Sequence, residues 1–215
     1  EISECLVGSE MCIRDRSIEG ANVAEVFMKE IAERRNGIQY FDVAQGYAHI
    51  ELGKCILEYL QDVEIEQYIP IILCIGTDRA TGDCLGPLVG EQLLNYSETF
   101  HVMGCLSAPV HALNIHDALH DIRNNYENPF VIAVDASLGS SSHVGLVTIN
   151  DGPILPGKGV KKKLPAIGDL SITGIVNVSG GHPGLLQSTR LYTVMQLADC
   201  IANALKYSIR YLDAF

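Results

Sequence analysis

Between Ile69 and Ile75 the chain is almost wholly apolar, as a strand buried on both faces would be. A polar loop punctuated by Gly76 and Gly82 follows. Leu85, Leu88, Val89 and Leu93 then recur at helical spacing, which predicts a helix over roughly 84–95. Strand, loop and helix thus succeed one another. Phe100–Leu106, Phe130–Val134, Val144–Ile149 and Asp169–Val178 read as further strands. Helical spacing predicts helices over 21–36 (stopped by Gly37), from about Ile50 to Gln61, and from Ala112 to Tyr126 with Leu113, Leu119 and Ile122 inward. A last helix begins near Gln187 and carries Leu191, Val194, Met195, Ala198, Ile201, Ala202 and Leu205. Strands that alternate with helices imply an α/β domain, residues 18–215, with a mainly parallel sheet and helices on both faces.

Residues 1–17 keep neither period. Cys5 to Arg16 resembles a peptide that recurs at the ends of assembled reading frames, as translated sequencing adapter does. Residues 1–17 are therefore expected to be foreign to the domain and are set apart from it.

Charge removes some function classes. Fifteen Lys and Arg against 26 Asp and Glu give a net charge of −11, unsuited to a nucleic-acid groove or an anionic membrane surface. The lysines at 158, 161, 162 and 163 form a short run that suits a solvated loop. No apolar stretch is long enough to span a membrane. Seven cysteines, an odd number without a CxxC pair, fit reduced buried thiols in a cytoplasmic protein.

Candidate chemistry gathers where strands end, because open α/β sheets place their ligands there. Asp78, Arg79, Thr81 and Asp83 lie in the loop after the first apolar strand. Asp135 follows Phe130–Val134. Asp83 and Asp135 are 52 residues apart, yet belong to successive strand–helix units. Two carboxylates brought together can divide acid and base work, since repulsion raises one pKa. They can equally bind a divalent metal through oxygen, or serve as a helix cap and a turn residue. Asp169 is a weaker third acid. Asn177 is a hydrogen-bonder for substrate or for structure. The glycines around the loop suggest a phosphate cradle, but Asp83 and Cys84 stand where that motif needs Lys and Ser or Thr. His116 and His120 form HDxxH, not HExxH, and fit a solvated helix face better than a zinc site. Cys84 lies near a helix N-terminus with no histidine beside it in sequence. Ser137 to Ser142 contains no GxSxG elbow. His182 stands in a glycine-rich loop that can face the same edge.

Ile75–Pro87, Pro109–Asn114, Ala133–Ala136, Gly152–Pro153 through Pro156–Gly157, and Gly174–Val178 together resemble the motifs of the sporulation protein YyaC family. The resemblance covers roughly 69–205. That family is similar to the germination protease of spore formers and, more distantly, to hydrogenase maturation endopeptidases. The resemblance implies a phosphorylase/hydrolase-like three-layer α/β fold and an atypical aspartic-type endopeptidase linked to sporulation or germination. It implies Asp83, in Asp-Cys-Leu-Gly-Pro, and Asp135, in Ala-Val-Asp-Ala, as the catalytic pair. Backbone N–H groups around Gly82–Gly86 are expected to steady the oxyanion. Asp78, Arg79 and Asn177 are assigned to substrate binding. The expected substrate is a protein or peptide, without nucleic acid or membrane, in the cytoplasm of mother cell or forespore, with a homo-oligomer as an option. No cofactor is expected. A divalent metal on Asp83, Asp135 and Asp169 is the alternative, but no histidine matches the third nickel ligand of the hydrogenase peptidases. A binding or regulatory protein on the same fold is the other alternative.

Overall fold

A computed structural model describes residues 37–96, 98–155, 165–180 and 184–214. Residues 1–17, the helix expected over 21–36, the lysine run and His182 lie outside these. The described residues fall in one unit of the chain, Arg35–Phe215.

Ile69–Cys74 forms β2, with its apolar run sorted by parity. Ile71, Leu73 and Ile75 enter one core, while Ile72 and Cys74 enter the other. Strand side chains alternate between faces, so a run apolar at every position needs cover on both. The first core is closed by α3 (Ile115–Asn125) through Ile115, Ala118 and Ile122. The second is closed by α1 (Ala48–Asp62), α2 (Leu85–Leu93) and α4 (Leu191–Leu212). Three layers result.

Six strands make one sheet, in the order β1 (Gln39–Asp42), β5 (Leu146–Asp151), β6 (Leu170–Val178), β4 (Pro129–Gly139), β2, β3 (His101–Met103). The pairs from β6 through β4 and β2 to β3 are parallel, and β5 runs antiparallel to β6 and β1. The chain leaves β2 toward β3 and leaves β4 toward β6, in opposite directions along the sheet. The crevice at the carboxyl ends of β2 and β4 is therefore a topological switch point, where such sheets hold ligands.

The mainly parallel α/β architecture is the one the hydrophobic pattern predicts. Several details differ. β1 carries no strong pattern and was not expected. The strand expected over 100–106 stops at Met103, because Gly104 turns at φ +89° and lies close against the Cys74 carbonyl. Leu113, expected in the core, is 76% exposed, because α3 begins only at Ile115. The last helix starts at Leu191 instead of near Gln187, and Leu191 and Met195 lie exposed. β4 does not end at Asp135. It runs on to Gly139 along β6, with a register shift at Ser137/Leu138.

Candidate active site at the β2/β4 edge

The first half of the site is built by glycines. Ile75 continues β2 by donating its N–H to the Val134 carbonyl at 2.7 Å. Gly76 then turns at φ +142°, where a Cβ would lie 2.0 Å from the Asp83 carbonyl oxygen. No side chain fits there, so the loop folds back on itself. The Thr77 N–H donates to the Asp83 carbonyl at 3.1 Å and to its carboxylate Oδ2 at 3.1 Å. Thr81–Cys84 forms a 3-10 turn that leads into α2. Gly86 lets α2 rest on β2: a Cβ there would lie 2.1 Å from the Ile75 carbonyl oxygen. Asp83 is thus a half-buried carboxylate fixed by the folded-back loop.

Asp135 supplies the second half. The pairing of β2 with β4 ends at Cys74 with Val134, so Asp135 is the first β4 residue beyond it. On its other side β4 remains paired, Asp135 lying opposite Thr173 of β6. Strand parity puts Asp135 on the face of Val131 and Ala133, the α3 side. Its Oδ1 accepts the Ala136 N–H at 2.8 Å.

Electrostatics link the halves. Asp135 keeps a partly exposed surface, but protein surrounds its carboxyl closely enough to disfavour the charge. Burial, and then the negative charge of Asp83, push its pKa from 3.8 up to about 8. Burial also raises Asp83, opposed by the Thr77 N–H and by the field of His111. Both carboxyls are thus pushed toward their protonated forms, Asp135 with the charge of Asp83 as an added cause.

His111 had no role in the sequence reading, although it lies in one of the quoted motifs. Its neighbour Val110 bridges to Ile75 and accepts the Gly76 N–H at 2.7 Å. Asn114 pins the same loop, accepting the His111 N–H at 2.7 Å and donating to the Pro109 carbonyl at 3.0 Å. The useful signal was the placement of Pro109–Asn114 just after β3, at the same edge as Asp83.

The remaining candidates separate. Asp78 and Arg79 are exposed in the loop before the 3-10 turn. Asn177 is half-buried near the end of β6, with its side chain engaged by protein at three points. It donates to the Leu185 carbonyl at 3.0 Å and to Thr189 Oγ1 at 3.2 Å, and accepts the Val178 N–H at 2.8 Å. Asp169 is not brought to the pair. It sits just before β6, donates its N–H to the Val131 carbonyl at 2.7 Å, and accepts the Val131 N–H on Oδ2 at 2.8 Å. Val131 is four residues before Asp135, about 13 Å along the strand. The expected oxyanion donors are largely spent: the N–H groups of Gly82, Asp83 and Cys84 bond to Leu186, Ala80 and Ala80 carbonyls. Cys84 donates its thiol to the Thr81 carbonyl at 2.9 Å, and burial raises its pKa. His116 and His120 are exposed on α3. Among the described residues, no three His, Cys, Asp or Glu side chains form a group that could hold a metal ion, and no helix is long and apolar enough to cross a membrane.

Comparison with known proteins adds three findings. The family model described as "Protein of unknown function (DUF1256)" matches residues 40–204. The uncharacterized protein YyaC of Bacillus subtilis (strain 168) is 54% identical over 142 residues, which are 65% of this chain and 69% of that protein. Among solved structures, the NiFe-hydrogenase maturation protease HycI from Thermococcus kodakarensis KOD1 is 20% identical with a TM-score of 0.37, covering 64% of this chain and 92% of its own.

Proposed function

The chain belongs to the DUF1256 family, with YyaC among its relatives, and because that family's description assigns no reaction we propose one from the acidic pair: aspartic-type hydrolysis of a peptide bond. The observation that carries this reading is the placement of Asp83 and Asp135. Asp83 lies in the turn that follows β2, and Asp135 lies on the adjacent parallel strand β4 just past its pairing with β2. Both are at the switch point and within reach of each other's charge. Such a pair holds one proton between two carboxyls, because both cannot ionise easily.

In this reading Asp135 carries the proton and polarises the peptide carbonyl. Asp83, held back toward its ionised form by Thr77 and His111, takes a proton from water. The water oxygen adds to the carbonyl carbon. The C–N bond then breaks, and the departing nitrogen receives a proton from the pair. Asp78 and Arg79, exposed beside the site, meet the substrate main chain. The substrate is a protein or peptide. We assign the activity to sporulation or germination, in the cytoplasm of mother cell or forespore, a reading that the resemblance to spore proteases supports. No metal takes part in the step.

The test is digestion of a peptide library followed by mass spectrometry. The wild type should cleave it, after chelator treatment as well as before, and Asp83→Asn and Asp135→Asn should both fold and fail to cleave. Cleavage retained in either variant sinks the dyad. Activity lost with chelator and restored by a divalent ion favours a metallopeptidase. A folded wild type that binds peptides without cutting them favours a binding protein.

A further inference from the structure

The two halves of the acidic site come from different parts of the chain, and a polar clasp joins them. The Gly82 N–H, one residue before Asp83, donates to the Leu186 carbonyl at 2.6 Å. A Cβ on Gly82 would lie 2.8 Å from Thr189 Oγ1 and 2.9 Å from the Leu186 carbonyl oxygen, so this contact is tight. The turn that carries Leu186 is itself held from below. Thr189, 7% exposed, donates Oγ1–H to the Leu185 carbonyl at 2.9 Å. Asn177 donates to that carbonyl and to Thr189 Oγ1. Asn177 belongs to β6, opposite Leu138 of β4, and so to the strand pair that carries Asp135. A continuous path therefore runs from Asp135 through β4, β6, Asn177, Thr189 and Leu186 to Gly82 and Asp83.

We propose that Asn177 and Thr189 are positioning residues that set the separation of Asp83 from Asp135. Only the catalytic consequence of this clasp rests on the peptidase reading. The 184–190 turn has no covalent closeness to Asp83, and its hydrogen bonds to Asn177 and Gly82 locate it. Both amide hydrogens of Asn177 have acceptors within the fold, so its side chain serves the clasp instead of a substrate. When the clasp is released, the Asp83 loop is free to move outward, and repulsion drives it so once Asp135 ionises. Asp135 then feels less negative charge, with His111 and Asp83 still the titratable groups facing the site from the neighbouring loops.

The experiment is a carbon-13 carboxyl titration of Asp135 in the full chain, with thermal melting measured in parallel. Thr189→Val keeps the shape and removes the hydroxyl, and Asn177→Ala removes the donor. Each should lower the Asp135 midpoint by about half a unit or more, a several-fold change in proton affinity. Thr189→Ser restores the hydroxyl and should keep the wild-type midpoint. A lower melting temperature with the Asp135 midpoint unmoved in both Thr189→Val and Asn177→Ala overturns the proposal, as does a Thr189→Ser shift equal to that of Thr189→Val. The titration needs no substrate. A wild type that cleaves nothing but shows these shifts defeats the peptidase reading and leaves the clasp standing. If cleavage is found, the clasp variants should lose kcat while KM holds.

Discussion

Asp135→Asn should make the protein more stable at neutral pH. The Asp135 carboxyl has an ordinary value of 3.8 and a folded value of about 8. Below pH 3.8 folded and unfolded chains both hold the proton, and burial acts on a neutral group. Between the two values the folded chain holds a proton that the unfolded chain has lost. Stability therefore falls as pH rises, by about 1.4 kcal/mol per unit at most. From 3.8 to pH 7 the ceiling is about 4 kcal/mol, and partial exposure of the carboxyl reduces it to about 2 kcal/mol. Asparagine has no charge to bury, and its Oδ1 can still accept the Ala136 N–H that Asp135 accepts at 2.8 Å. Urea unfolding of both proteins at pH 4 and pH 7.5 provides the assay. The variant should match the wild type at pH 4 and exceed it by about 2 kcal/mol at pH 7.5. Equal stability of the two at both pH values, or a variant weaker at pH 7.5, would refute the claim that Asp135 sits in strained electrostatic surroundings.

Two further substitutions probe how the site is framed. Gly86→Ala places a methyl 2.1 Å from the Ile75 carbonyl oxygen, so α2 must lift from β2. A loss of about 3 kcal/mol in denaturant unfolding is expected. Asp169→Ala leaves the buried Val131 N–H without its carboxylate partner, costing about 1–2 kcal/mol. Because Asp169 is at the other end of the strands, the Asp135 titration should not change.

The sequence made β2, α2 and the Asp83 loop legible for a plain reason. A strand buried on both faces is apolar at every position, and the helix after it must be amphipathic. Asp135 was legible too, as an acid closing an apolar run, but its setting was not. Ala136, Ser137 and Gly139 are small or polar and leave Leu138 as the one large apolar residue of the extension, too little for a local period, so only the register with β6 reveals that β4 continues. β1 is four residues long at the sheet edge, with Tyr40 exposed and stacked near His143, too short for a period to register. Leu113 follows helical spacing but precedes the helix, since Asn114 ties the loop to His111 and Pro109 first. Thr189 and His111 reach the site through contacts between loops distant in sequence, and such contacts leave no periodic trace.

The most direct measurement is the carboxyl titration of Asp135 in the wild type and in Asp83→Asn. A coupled acidic pair predicts a wild-type midpoint near 8 that falls when the charge at position 83 is removed, yet stays above 3.8 because burial persists. A wild-type midpoint near 3.8, or one unchanged by Asp83→Asn, would contradict the pairing on which the proposed chemistry depends.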